Sequence, residues 1–277
     1  MAPSLTPFVA NALCLHLSVV TAAIAVSLTL VMVRAAEVRP WRVLLLGLAA
    51  VLLVSHLATL AFLLAHPAIA ALAEKDRALL ENHGFLQTFY CVACAVVAAA
   101  GYFFWGADQP RVLPVSHALA RERSLRNFAR AVPWLWILCA TAVVYGTGLA
   151  LFRAVPAQPV VELRPLLDAL DRAPAATFLL AIPALVFEEL VFRLFLQGWL
   201  RRTLRPHDPG GWSAIVVPSV VWALGHAGQV APDFPQLTQY FLAGLVQGVT
   251  MERRGLEAAL AIRFLIQVLA ILSLYPA

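Results

Sequence analysis

The chain has 277 residues, of which 62% are hydrophobic and only 13% are charged, and it carries a formal net charge of +5. Soluble domains are about 45–50% apolar and about 25% charged, so this composition excludes an ordinary soluble domain and predicts an integral membrane protein. The positive charge comes from arginines spread over several loops, not from one basic patch, which argues against a nucleic-acid partner. The lipid bilayer is the first partner that we expect.

Eight apolar segments follow one another along the chain, and a span needs about 20 mostly apolar residues. The sixth and seventh are short, so we expect them to be tilted or to cross only in part. The first has no evident cleavage site and is expected to stay as an anchor. We therefore predict an all-α polytopic membrane protein, a bundle of about eight transmembrane helices. The segments cover residues 8–33, 42–66, 85–105, 133–152, 175–200, 212–229, 236–251 and 255–274.

The loops between these segments alternate between arginine-rich and balanced or acidic. By the positive-inside rule the arginine-rich loops are cytoplasmic, and both termini then face outward. Frequent alanine and the near absence of lysine, with Lys75 as the one example, are typical of a bacterial chain and favour the inner (plasma) membrane. The arginines concerned are Arg34, Arg39 and Arg42; Arg111, Arg121, Arg123, Arg126 and Arg130; Arg201, Arg202 and Arg205; and Arg253 and Arg254.

Polar residues within the segments are scarce before residue 131 and frequent after it. We predict two parts on this basis: N-terminal transmembrane helices without an assigned role over 1–130, and a part that carries the chemistry over 131–277. Cys91 and Cys94 form a CVAC pair inside an apolar run and are interpreted as small hydrophobic residues of a helix. The intramembrane His16 and His56 could line a substrate path, but they are interpreted as isolated packing or interfacial residues.

The first polar cluster is FEELVFR, residues 187–193. A charged side chain deep in a bilayer is costly, so three charges in one segment call for a reason. Glu189 and Arg193 are four residues apart on a helix, a spacing that predicts an ion pair. Glu188 is rotated by about 100° from Glu189 and needs another partner. A purely structural bridge therefore explains Glu189 and Arg193 but not Glu188.

The second polar cluster is VWALGHAGQ, residues 221–229. His226 lies about 21 Å from the cytoplasmic start of its segment, and Glu188 lies about 18 Å from the cytoplasmic end of its own, at 1.5 Å per residue. The two side chains can therefore occupy one depth on neighbouring helices. A lone buried histidine is often a packing residue, but this shared depth favours a functional pair.

The third polar cluster is AIRFLIQ, residues 261–267. Arg263 and Gln267 are four residues apart and share a face, about 12 and 18 Å from the cytoplasmic start of that helix. An arginine at this depth requires a carboxylate, a water-filled cavity or a ligand. The alternative is that its long side chain reaches out towards the cytoplasm.

These three clusters suit the hydrolysis of a peptide bond. A carboxylate beside a histidine activates water, because the carboxylate accepts a proton while the imidazole orients the water or donates later. An arginine and an amide can stabilise the oxyanion that develops. The chain has no HExxH motif, and one histidine with one or two glutamates is a poor zinc site, so we predict chemistry without a metal or another cofactor.

The same motifs resemble a known family. FEELVFRLFLQGWLRR is similar to the EExxxR segment of the CPBP family of membrane-embedded proteases, which includes the CAAX prenyl endopeptidases and the bacterial Abi proteins. VWALGH resembles the family's FxxxH segment, with Trp222 in place of phenylalanine. GLVQGVTMERRGLEAALAIRFLIQ is similar in layout to the last family motif, including Gly244, Gly248 and Gly255. The resemblance covers about residues 175–270.

The resemblance implies a glutamic-type intramembrane protease that cleaves a membrane-associated protein or peptide. It implies Glu188 as the water-activating residue, His226 as its partner, and Glu189 with Arg193 as a supporting pair. The last motif departs from the family, which usually has a histidine and an asparagine or aspartate where this chain has Arg263 and Gln267. Two alternatives follow: an altered oxyanion site, or an inactive relative with a membrane binding, chaperone-like or immunity role.

Overall fold

The computed structural model describes residues 7–33, 42–106, 109–114, 132–159, 169–170 and 172–274. Arg34, Arg39, Arg121, Arg123, Arg126 and Arg130, which were used to predict the orientation, lie outside these ranges. The predicted division at residue 131 also lies outside them, and both remain predictions.

Helices dominate the described residues. The first part of the chain contains α1 (Pro7–Val33), α2 (Arg42–Ala65), α3 (Pro67–Ala70), α4 (Glu74–Trp105), α5 (Gln109–Val112) and α6 (Trp134–Ala154). The second contains α7 (Pro174–Glu189), a π-helix π1 (Leu190–Gln197), α8 (Gly198–Leu204), α9 (Trp212–Leu224), α10 (Phe234–Arg254) and α11 (Leu256–Leu274). Two short antiparallel strands, β1 (Gln158–Pro159) and β2 (Val230–Ala231), pair beside α9.

The predicted fold class is confirmed, because each of the eight apolar segments is helical. Among the described residues, three helices have both the length and the apolar composition needed to cross a membrane: Phe8–Val33, Glu74–Trp105 and Trp134–Ala154. Ala49–Ala65 and Trp212–Leu224 are apolar but shorter. The fold is therefore that of an all-α membrane protein, while the count of eight crossings remains a prediction.

Two boundaries differ from the sequence prediction. The helix α4 begins at Glu74, well before the predicted residue 85. The prediction counted only apolar residues, and the first turns of this helix are polar. The helix α9 ends at Leu224 rather than near 229, because a turn follows it at Gly225. His226 therefore lies on a turn directly after the helix, and not within the helix itself.

One large apolar core joins the two halves of the chain. It contains Cys94 and Val97 from α4, Phe187 from α7, Phe192 from π1 and Trp222 from α9, all of them buried. The π-helix lies in the middle of this core, and every one of its residues is buried. Helices from the first part of the chain therefore form one wall around the segment that carries the charges.

Glycines bring α10 very close to α9. A Cβ atom at Gly244 would lie 2.8 Å from the Cβ of Ser219, and one at Gly248 would lie 2.8 Å from Cγ2 of Ile215. Real side chains do not tolerate such distances, so both positions need glycine for the observed packing. This contact agrees with the close approach that a GxxxG spacing predicts.

Candidate active site

The indole of Trp222 is where Glu188, Arg193, Arg263 and His226 of the second half come together. This side chain is almost fully buried at the end of α9. Its neighbours come from α7, π1, α10, α11 and the turn after α9. Burial of a tryptophan is ordinary, because the side chain is hydrophobic. The polar contacts of Trp222 are what mark this region as a candidate site.

Glu188 finds its partner on α11. Its Oε2 atom accepts a hydrogen bond from Nη2 of Arg263 at 2.9 Å and another from Nε1 of Trp222 at 2.9 Å. The other oxygen, Oε1, accepts no hydrogen bond from any described residue, and 24% of the side chain is exposed. Oε2 is thus held in place by two donors, while Oε1 can still accept a hydrogen bond.

The turn after α9 fixes the imidazole of His226. Nδ1 donates to the backbone oxygen of Trp222 at 3.0 Å, and the ring stacks on Tyr240 with centroids 3.6 Å apart. The turn is closed by Gly228, which has a left-handed φ of 78° and donates its N–H to Asp233. Since a carbonyl only accepts, Nδ1 carries the proton and Nε2 keeps its lone pair.

Glu188 and His226 lie on the same side of the bundle. Both contact Trp222, one through the indole nitrogen and the other through the backbone oxygen, and the His226 ring packs edge-on against the indole at 5.5 Å. The two groups also lie within Coulombic range of each other. The juxtaposition predicted from depth is therefore present.

Arg263 lies flat against this aromatic cluster. Its guanidinium carbon is 4.7 Å from the Trp222 ring centroid and 5.9 Å from that of Tyr240, a cation–π arrangement. The side chain pairs with Glu188 instead of reaching out of the bundle. Gln267, one turn further along α11, is half-buried and makes no hydrogen bond with the described residues. The structure thus brings Arg263 to the site but does not bring Gln267 into its hydrogen-bonded group.

Glu189 and Arg193 lie behind Trp222. Their closest charged atoms, Oε2 and Nε, are 4.0 Å apart, which is ion-pair range but too long for a hydrogen bond. Arg193 donates from Nη1 to Oγ of Ser219 at 3.3 Å, and its guanidinium lies 5.6 Å from the Trp222 ring. Arg193 thus contacts the indole that holds Glu188, and Glu189 pairs with Arg193.

His16 lies closer to the site than its preferred interpretation as an isolated residue implies. It is not isolated: Nδ1 donates to the backbone oxygen of Val221 at 3.2 Å, and the ring lies 5.3 Å from that of Phe192. It also lies within Coulombic range of Glu188 and His226. Nothing in the local sequence of α1 signals this contact, because it depends on how α1 packs against α9.

Within the described ranges, no three histidine, cysteine, aspartate or glutamate side chains converge in a way that could hold a metal ion. The prediction of metal-free chemistry rests on the motifs and stays a prediction. Cys91 and Cys94 are buried in the apolar core as free cysteines.

The fold and this group of side chains define a class: an all-α membrane protein with a carboxylate, an imidazole and a guanidinium held together inside the bundle. Residues 171–269 match the model of the Rce1-like family, described as type II CAAX prenyl endopeptidase Rce1-like. The match confirms the family resemblance for this segment, which contains all six candidate site residues, and it implies a protease at the coarse level. No curated protein and no solved structure matches the chain.

Proposed function

We propose that the chain is a glutamic-type intramembrane endopeptidase that hydrolyses a peptide bond of a membrane-associated protein or peptide. The observation that carries this proposal is that Glu188 and His226 are both hydrogen-bonded to Trp222. Oε1 of Glu188 and Nε2 of His226 make no hydrogen bond to the described residues and can each accept one. A water molecule between these two acceptors donates one hydrogen bond to each of them, and this fixes its orientation for attack.

In this mechanism Glu188 is the general base. Its Oε1 accepts a proton as the water oxygen attacks the peptide carbonyl carbon, and a tetrahedral oxyanion forms. His226 orients the water through Nε2 and passes the proton from Glu188 to the leaving amine as the C–N bond breaks. The products are a carboxylic acid and an amine, so one water molecule is consumed for each bond cleaved.

Arg263 has two successive partners in this scheme. Before reaction it pairs with the Glu188 carboxylate. When Glu188 takes the proton, its negative charge is lost and a new one appears on the oxyanion beside it. The buried guanidinium then stabilises the oxyanion without having to be desolvated at that moment. Glu189 and Arg193 are positioning residues that act through Trp222.

A comparison of protein N-termini in matched cells tests the proposal. Cells that carry the wild-type chain should produce cleaved N-termini of a membrane-associated protein, and cells with Glu188→Gln or His226→Ala should accumulate the uncleaved form. The matched controls Glu81→Gln and His207→Ala change exposed residues outside the site and should leave cleavage intact. Persistent cleavage in the Glu188→Gln cells would refute the mechanism.

The ion pair between Arg263 and Glu188 also favours a second candidate function. A carboxylate neutralised by an arginine is a stable arrangement without any chemistry, as expected of an inactive relative that binds, chaperones or protects against another membrane protein. Under this alternative, Glu188→Gln keeps the cellular function. Gly244→Leu, which forces α9 and α10 apart, loses it. The two variants together therefore separate the two functions.

A further inference from the structure

A row of buried polar side chains leads away from the site along the end of α7 and π1, with one member on α10. Glu189, Arg193 and Gln197 are spaced four residues apart and lie on the face that packs towards α9 and α10, where Gln247 is also buried. All four side chains are at most 2% exposed. We call Glu189, Arg193, Gln197 and Gln247 the buried polar row.

The row begins at the site and ends near the surface. Glu189 directly follows Glu188 in the chain. At the other end, Nε2 of Gln197 donates to the backbone oxygen of Gly248 at 3.0 Å and to Oε1 of Glu252 at 3.2 Å. Glu252 in turn pairs with Arg201, whose side chain is 35% exposed. The row therefore connects the site with the arginine-rich end of the bundle.

Gln247 extends the row on α10. It lies seven residues after Tyr240, which is two helical turns on the same face and about 10 Å along the helix. Tyr240 stacks on His226, so Gln247 lies between the site and the basic end of α10. It is fully buried, yet neither atom of its amide has a hydrogen-bond partner among the described residues.

The row concentrates the unpaired polar atoms of the molecule. Twelve buried side-chain nitrogen and oxygen atoms lack a hydrogen-bond partner among the described residues, and six of them belong to the row, including the two that form the 4.0 Å ion pair of Glu189 and Arg193. They are Oε2 of Glu189, Nε and Nη2 of Arg193, Oε1 of Gln197, and Nε2 and Oε1 of Gln247. Buried polar groups in native proteins are nearly always hydrogen-bonded, so this concentration calls for partners.

Water fits these atoms better than an ion of either sign. The six atoms include three donors, on Arg193 and Gln247, and three acceptors, on Glu189, Gln197 and Gln247. A water molecule both donates and accepts, and an internal water typically makes about three hydrogen bonds to such groups. A cation would be repelled by Arg193, and an anion by Glu189.

The backbone along the row is also unusual. π1 has the wider i→i+5 hydrogen-bonding pattern, which in other proteins is frequent at functional sites. Glycine faces the row from α10: a Cβ atom at Gly244 would lie 3.1 Å from Nη2 of Arg193, and one at Gly248 would lie 3.5 Å from Oε1 of Gln197. Side chains at these two positions would crowd the unpaired atoms.

We propose that the buried polar row binds a chain of water molecules that joins the arginine-rich end of the bundle to the site at Glu188 and His226. The role of this chain, which rests on the proposed endopeptidase function, is to supply the water that each hydrolysis consumes. The row offers water a hydrogen-bonded route towards Glu188 through the apolar core.

Thiol accessibility tests the bound water independently of catalysis. In a chain whose four native cysteines are replaced by alanine, Gln247→Cys should react with a small charged methanethiosulfonate at least tenfold faster than Thr250→Cys. Thr250 is the matched control because it is equally buried on α10, but its hydroxyl is paired with Trp136 and Val246. Equal rates in the two folded variants would overturn the proposal.

A second measurement uses the unaltered chain, so it does not depend on a variant folding. Hydroxyl radicals generated in bound water oxidise the side chains beside that water. Met251, one turn beyond Gln247 on the same face of α10, should be oxidised, whereas Cys94 on α4, which is equally buried in the same apolar core but does not neighbour the row in sequence, should not. Protection of both residues would contradict a water chain.

The supply role has its own test in turnover. Gln247→Leu should lower kcat about tenfold with little change in KM, and Gln247→Asn should restore most of it. An unchanged kcat in Gln247→Leu would overturn the supply role. If the wild-type chain cleaves nothing, the proposed function fails, while the thiol and radical measurements still decide whether the row holds water.

Discussion

The molecule buries histidines in two places that differ in their surroundings. Around His226 the partners are a carboxylate, a guanidinium and two aromatic rings, contributed by α7, α9, α10 and α11. Between α2 and α4, His56 donates from Nε2 to the backbone oxygen of Gly84 at 2.9 Å. Nearby, His83 accepts from Nε2 of Gln87 at 3.0 Å.

This difference shows that burial of a histidine does not by itself indicate function. In the cluster of His56, His83 and Gln87 the partners are a backbone oxygen and a side-chain amide from two helices, and these hydrogen bonds explain it as packing. The site at His226 holds opposite charges together away from bulk water, an arrangement that costs desolvation free energy and that packing alone does not require. We therefore expect substitutions at the site to change turnover and substitutions at the other cluster to change stability.

The largest effect is expected for Glu188→Gln. The amide keeps the shape of the side chain but cannot accept the proton, so kcat should fall about 1000-fold, within the range found for general bases. The measurement is cleavage of the substrate by the purified variant in lipid vesicles. Glu81→Gln is the matched control, since Glu81 pairs with Arg77 on the surface and lies outside the site.

Replacing the two histidines sharpens the comparison directly. His226→Gln should lower kcat about 100-fold, because the water loses the acceptor that orients it. His56→Gln should leave kcat unchanged within about twofold but lower the free energy of unfolding by about 1–3 kcal/mol, since a buried hydrogen bond to Gly84 is lost. Thermal unfolding in detergent and vesicle turnover give the two readings. A loss of turnover as large in His56→Gln would remove the distinction between the clusters.

A smaller effect is expected for Arg263→Lys. Lysine keeps the charge but loses the planar contact with Trp222, so kcat should fall about tenfold. Arg254→Lys is the matched control, because Arg254 stacks on Trp136 outside the site. If both variants turn over like the wild type, Arg263 does not stabilise the oxyanion.

The smallest effect at the site is expected for Trp222→Phe. The change removes one of the two donors to Oε2 of Glu188 while keeping an aromatic ring, so kcat should fall about fivefold. Trp105→Phe removes a comparable indole hydrogen bond, from Nε1 to the backbone oxygen of Leu194, and should leave kcat unaltered. Equal turnover in the two variants would show that the indole does not position Glu188.

Hydrophobicity was sufficient to predict the helices. The eight apolar segments correspond to helices because apolar length and helix formation coincide in a membrane protein. The positions of Glu188 and Arg263 along their helices followed from counting residues, whereas His226 was expected within a helix and lies on the turn after it. These axial coordinates come from counting residues, which is why they could be obtained without a structure.

The contacts around each helix axis could not be obtained in this way. A residue count gives no information on which faces of two distant helices meet, so the contact of His16 with the α9 backbone and the stacking of Tyr240 on His226 were missed. For the same reason we expected Gln267 at the site, but it makes no hydrogen bond to the described residues. The π-helix has no signature in the sequence LVFRLFLQ that we could have used.

The central claim is that Glu188 and His226 act as one unit on one water molecule. A double-mutant cycle on kcat with Glu188→Gln, His226→Gln and the combined variant tests it most directly, with unfolding checked for each. Groups that act as a unit give non-additive losses, so the combined variant should lose little more than Glu188→Gln alone. Losses that multiply, about 100-fold beyond Glu188→Gln, would show that the two residues act independently and would contradict the account.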